Sequence, residues 1–139
     1  MNRTVRVSSH ALGFKATVTV KVYDTREQMI AAAERFSGAD LSGSVAVTQG
    51  STRYFEDGTE RFLPIIRLHA ARLGTEVLSH EMHHATCAIY AATLPEGTGA
   101  RSVLDHTNEP FAYLYGQLLR RLVEALYRHG YYSKTREVS

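Results

Sequence analysis

One stretch of the chain constrains the fold and the chemistry more than any other. Residues 71–94 predict a long helix that ends before Pro95, and the sequence HEMHH begins inside it at His80. Residues four apart project from the same face of a helix, so His80 and His84 present two imidazoles to one side. Glu81 lies about 100° further round the helix, beside this pair. The pattern predicts a two-histidine metal site with an acid–base group next to it.

Zinc is the metal that this arrangement favours. A catalytic zinc ion usually has three protein ligands and an open position for water, and it lowers the pKa of that water to roughly 7. Glu81 can then act as the general base while water attacks a carbonyl group. The third ligand is expected from the segment that starts the next long helix. Glu109 is favoured there, and Asp105 and His106 stay open as alternatives because carboxylate and imidazole both suit zinc.

The rest of the chain predicts an α+β fold. Alternating apolar residues indicate strands, and capping residues, glycines and prolines mark where helices begin and end. We expect a small, mostly antiparallel sheet packed on the active-site helix and on a second long C-terminal helix. The expected strands are Phe14–Tyr23, Ser44–Thr48, Thr52–Phe55 and Phe62–Leu68, with a turn at Asp57–Gly58, and the other helices run from Asp24 or Thr25 to Ser37 and from Thr107 or Asn108 to Gly130.

Composition limits the domain count and the partners. A length of 139 residues with 44% hydrophobic residues fits one domain, residues 1–139. The 16 basic and 14 acidic residues nearly balance, which does not favour nucleic acid as a partner. Cys87 is the only cysteine, so a cysteine-based structural zinc site would lack its second thiolate. No apolar run has the length of a signal peptide or a membrane span, so we expect a cytoplasmic protein with no membrane partner and leave its oligomeric state open.

The motif HEMHH at 80–84 together with NEPFAY at 108–113 resembles the gluzincin zinc metallopeptidases. The resemblance covers residues 75–116 and implies a zincin-like fold, Zn²⁺ held by His80, His84 and Glu109, and hydrolysis of a peptide or protein substrate with Glu81 at the catalytic water. It also implies that the strand before the motif helix, residues 62–69, forms the sheet edge along which a peptide binds. The short chain is similar to the minimal zincin cores of phages and mobile elements.

Several roles stay open at the level of sequence. A binding protein that retains the zincin core and contacts a host protein is the alternative function. Cys87 is expected to be a small buried side chain, His69 could hold a ligand by a hydrogen bond, and the tail from Ser133 is expected to be polar and frayed. A residue that stabilises the oxyanion is expected among five candidates, which are His83, Arg101, His106, Tyr113 and Tyr115.

Overall fold

The computed structural model describes residues 2–132, which form an α+β fold. Within that range the chain has four strands and four helices. The strands are β1 (Arg3–Ser9), β2 (Ala16–Tyr23), β3 (Val47–Tyr54) and β4 (Glu60–His69), and the helices are α1 (Arg26–Ser37), α2 (Thr75–Ala91), α3 (Ala100–Val103) and α4 (Glu109–Arg128). The predicted polar tail from Ser133 lies outside the described residues.

The four strands form one mixed sheet in the order β1-β2-β4-β3. The two outer pairs are antiparallel and the central pair, β2 with β4, is parallel. The central pair is parallel because β3 begins near the end of the sheet where β2 stops and runs back, so β4 starts at the end from which β2 began. Two of the three strand pairs are antiparallel, so the expected small, mostly antiparallel sheet is confirmed, and its parallel central pair makes it mixed.

Strand β3, not β4, forms the edge of the sheet on the side of the predicted metal site. The expectation that residues 62–69 form this edge is wrong. Consecutive residues from Ile66 to His69 are all buried, as is typical of a strand with neighbours on both sides. The turn at Gly58, which has a φ of 85°, brings β3 back against β4, and no strand among residues 2–132 pairs with the outer side of β3.

The two faces of the sheet pack against different helices because successive side chains of a strand point to opposite faces. The face that carries Val20 and Ile66 packs on α2 and α4, whereas on the other face Arg67 bonds Tyr23 and lies over the ring of Phe36 in α1. Side chains with no exposed surface dominate the core: Val18, Val20, Ile66, Leu68, Met82, Leu114, Leu118, Leu122 and Leu126. This core fixes the orientation of α2 relative to the central strands of the sheet.

Most helix ends lie where nearby residues in the sequence predict them. The side chain of Thr25 caps α1 through a reciprocal pair of bonds with Gln28, as expected for this helix start. The motif helix α2 begins at Thr75 rather than at the expected residue 71, because β4 extends to His69 and a turn follows it. Among residues 2–132, no helix has the length and hydropathy needed to cross a membrane.

Candidate metal centre

His80 and His84 lie together on the exposed side of α2. Their Nε2 atoms are 3.2 Å apart, and the side chain of His80 is 66% exposed. Two nitrogens that each lie about 2.0–2.1 Å from one tetrahedral zinc ion are separated by about 3.3 Å. The two imidazoles therefore already have the spacing that two ligands of a single zinc ion require.

Glu81 is buried beside this pair, with 7% of its surface exposed. The hydroxyl of Thr48 donates to its Oε1 at 2.8 Å, and its Oε2 lies 3.7 Å from Nε2 of His80. The same hydroxyl lies 3.2 Å from the backbone oxygen of Glu81. A buried carboxylate is costly unless a donor satisfies it, and Thr48 supplies that donor. The sequence did not identify Thr48, because nothing local indicates which strand lies beside α2.

Strand β3 is held in register by a chain of hydrogen bonds next to Thr48. The side chain of Gln49 donates to the backbone oxygen of Ala33 in α1 at 2.9 Å and accepts from Nε of Arg67 at 2.8 Å. Nη1 of Arg67 donates in turn to the hydroxyl of Tyr23 at 2.7 Å. Bonds on the α1 face of the sheet thus fix the backbone that presents Thr48 to Glu81.

A pocket of about 370 Å³ opens over the two histidines and the carboxylate. The start of β3 with the residues before it forms one wall, and α2 forms the other. Its lining comprises Ser44, Ala46, Val47, Thr48, Phe62, His80, Glu81, His84 and Ala88. The pocket has the size of a small ligand site and lies beside the unpaired edge of the sheet.

The third predicted ligand is not assembled with the histidine pair. Among residues 2–132, no group of three histidine, cysteine, aspartate or glutamate side chains is arranged to hold a metal ion. Glu109 is exposed at the first residue of α4. The ring of His83 contacts the rings of Phe111 and Tyr115, so α4 begins against the neighbouring face of α2. The described residues therefore fit two positions of a zinc site, and Glu109 remains a prediction.

The two alternative ligands lie in the turn that precedes α4. One carboxylate oxygen of Asp105 accepts from the backbone N–H and the hydroxyl of Thr107, both at 2.9 Å. These two bonds, that of the backbone first, lower the pKa of Asp105 below its usual value. The imidazole of His106 is 95% exposed. Asp105 thus has a structural role in this turn, and Nδ1 of the exposed His106 lies 3.5 Å from its carboxylate.

The five oxyanion candidates lie away from the pocket lining. The hydroxyl of Tyr115 is engaged with the backbone oxygen of Ser79 at 3.2 Å, and Tyr113 is 60% exposed. The assignment of an oxyanion-stabilising residue stays a prediction.

Cys87 is exposed, with its Sγ 3.7 Å from Nε2 of His83, so the expectation of a buried cysteine is wrong.

Comparisons with protein-family models, with curated proteins and with solved structures give no match to this chain. The resemblance to the gluzincins accordingly rests on the residues of the chain itself, above all on His80, Glu81 and His84.

Proposed function

We propose that the protein is a zinc-dependent metallopeptidase of the gluzincin type, with Glu81 as its general base. The observation that carries this proposal is the 3.2 Å spacing of the two imidazole Nε2 atoms beside a buried carboxylate. A helix that merely exposed two histidines would not need a buried glutamate between them, since burying a charge is costly. The proposed scaffold is a zincin-like core.

His80 and His84 would hold the metal ion from α2, and Glu109 is the proposed third ligand. When bound, zinc supplies a Lewis acid that polarises a carbonyl oxygen and lowers the pKa of water. Glu109 can join the pair if the exposed segment 105–109 moves towards His84. Metal binding is often coupled to folding, so a segment such as 105–109 can take its final position only when the metal is bound.

Glu81 has one oxygen available for proton transfer. Thr48 occupies Oε1, so Oε2 is the atom that accepts a proton from a water molecule in the pocket and returns it to the leaving amine. Burial restricts competing water around the carboxylate, and the bond to Thr48 limits its rotation. Both effects prepare Glu81 for its role before a substrate binds.

The position of β3 at the edge of the described sheet supports the proposed substrate class. The outer backbone N–H and C=O groups of an edge strand can pair with an extended peptide, which would add to the sheet as a fifth strand. Because Thr48 lies near the start of β3 and contacts Glu81, a peptide on this edge passes the general base. A peptide or protein is therefore the substrate that we propose.

Hydrolysis of a mixed peptide library by tag-free protein, read by mass spectrometry, tests the enzymatic role. Glu81→Gln should keep its zinc and lose at least about 100-fold in cleavage rate, the usual contribution of a general base. Glu76→Gln, which alters an exposed glutamate in the first turn of the same helix, should match the wild type. Equal cleavage by wild type and Glu81→Gln would refute the proposed role of Glu81.

The third ligand needs a separate test. Glu109→Ala should lower the zinc content, while Glu96→Ala, at an exposed glutamate in the loop before α3, should not. Zinc retained by Glu109→Ala would assign the third position to another residue. A wild type that neither retains zinc nor cleaves peptides would instead support the binding protein that contacts a host protein.

A further inference from the structure

A second pocket, of about 380 Å³, lies between β1 and α4 and is strongly basic. Arg6, Lys15, Arg121 and Arg128 line it together with a single carboxylate, that of Glu124. The whole chain carries a formal net charge of only +2, so this concentration of positive charge is local. Such a surface raises the local concentration of anions.

The walls of this basic groove are tied together along its length. Ser9 donates to the side chain of Gln117 at 2.6 Å, Arg121 donates to a backbone oxygen of β1, and Arg3 lies 2.9 Å from Nδ1 of His129. From Arg121 to Arg128 the helix advances by about 10 Å. The row of basic residues is therefore preformed and elongated, and Arg3 extends it beyond the pocket.

Little negative charge compensates these cations. The carboxylate of Glu124 lies 3.3 Å from Arg120, which draws it towards a residue outside the pocket lining. Within residues 2–132, no salt bridge involves Arg6, Lys15 or Arg128. Like charges held in one groove repel each other, and a bound polyanion would relieve that repulsion.

Protection of a sheet edge does not account for the whole groove. Edge strands often carry charged residues that prevent pairing with other chains, and Arg6 on β1 can serve that purpose. Lys15 and Arg128 lie outside β1, in the residues before β2 and at the end of α4. Their convergence on the same groove indicates a binding surface.

We propose that the groove between β1 and α4 docks the phosphate backbone of double-stranded nucleic acid. A duplex carries one negative charge per 3.4 Å or so along each strand, so a row of about 10 Å can meet several phosphates. Arginine, with its fork of N–H groups, suits phosphate oxygens. None of the lining residues is aromatic, so the groove offers no platform on which unpaired bases could stack. This surface is independent of the proposed peptidase activity.

Fluorescence anisotropy with a labelled duplex of about 20 base pairs and the tag-free full chain tests the proposal. Four phosphate contacts predict that binding weakens about 100-fold between about 50 and 200 mM salt, whatever the base sequence. The triple variant Arg6→Gln, Lys15→Gln, Arg128→Gln should lose most of the affinity and most of the salt dependence. The matched triple variant Arg35→Gln, Arg53→Gln, Arg72→Gln removes the same charge from exposed positions elsewhere and should keep both.

Three results would each overturn the proposal. The first is no binding by wild type at about 50 mM salt, where backbone contacts are strong. The second is an equal loss of duplex affinity in the two triple variants, with both still folded by circular dichroism. That result would show that binding depends on the net charge of the protein and not on the groove. The third is competition by polyglutamate as strong as that by duplex at equal charge, which would assign the groove to an acidic protein.

Discussion

The hydroxyl of Thr48 donates to Oε1 of Glu81 at 2.8 Å and joins the edge strand β3 to the motif helix α2. The two residues are 33 positions apart in the chain. Because Glu81 is almost fully buried, water cannot readily replace the lost donor if Thr48 is changed. One bond thus links the edge proposed to bind the peptide to the proposed general base.

Replacement of Thr48 by valine should lower the rate of peptide cleavage by about 10–100-fold, with zinc content unchanged. A hydrogen bond to a charged group contributes about 1.5–3 kcal/mol, and its loss leaves Glu81 free to rotate. Steady-state kinetics and elemental analysis measure the two quantities. Thr48→Ser retains the hydroxyl and should stay close to wild type. A valine variant as active as wild type would show that this bond does not orient the base.

Asn108 should stabilise the start of α4, where the proposed ligand Glu109 lies. Its side chain accepts from the backbone N–H of Phe111 at 3.2 Å and lies 3.3 Å from the hydroxyl of Tyr90. Asn108→Ala should therefore reduce the free energy of unfolding by about 1 kcal/mol, as for other helix caps. Urea denaturation measures the change. Asn108→Ser keeps a capping oxygen, and equal losses in both variants would argue against the cap.

Arg67 should contribute to stability through its buried partners. It is 5% exposed and bonds the side chains of Gln49 and Tyr23. Arg67→Met leaves both partners without this donor and should lower the free energy of unfolding by about 2–4 kcal/mol in urea denaturation. Arg72→Met alters an exposed arginine and serves as the control. A loss no larger than that of the control would contradict the role assigned to Arg67.

His69 should make stability depend on pH. It is 5% exposed, and its Nε2 has no hydrogen-bond partner among the described residues. Burial first, and then the charges of Arg26 and Arg72, lower the pKa of His69 below 6.5, against an opposing effect of Glu27. The unfolded chain therefore binds this proton more readily, so its contribution is complete above about pH 6.5 and declines as the pH falls below that value.

Urea denaturation at about pH 7.5 and 5.5 measures this loss of stability. The decline should be smaller in His69→Met, which removes the titrating group while keeping an apolar side chain of similar size. A variant that loses as much stability between the two pH values as wild type would assign the effect to another group.

The features that sequence could predict depend on local chemistry. Neighbouring residues narrowed each helix start to two positions, one of which is the cap at Thr25 or Asn108, and they placed the two motif histidines on one helix face, since a helix start and a four-residue spacing are properties of short segments. Strand β1 was not predicted, although its buried residues Val5 and Val7 alternate with polar ones. That signal was present but short.

The features that sequence missed depend on which segments meet in space. The order of β3 and β4, and with it the contact of Thr48 with Glu81, follows from a parallel pairing of β2 with β4 that no local pattern encodes. Basic and acidic residues nearly balance in the sequence as a whole. The basic residues between β1 and α4 come together only in the folded chain. Glu109 was predicted from its place at the start of the next long helix and from the gluzincin resemblance, and among residues 2–132 it is not grouped with the histidine pair.

Zinc content is the most direct test of the central claim that α2 carries a metal centre. Elemental analysis of tag-free wild type, His80→Ala, His84→Ala and His83→Ala compares the proposed ligands with a histidine on the neighbouring face of the same helix. We predict about one zinc per chain in wild type and His83→Ala, and loss of the metal in the other two variants. Absence of zinc from reconstituted wild type, or equal zinc in all four proteins, would contradict the account.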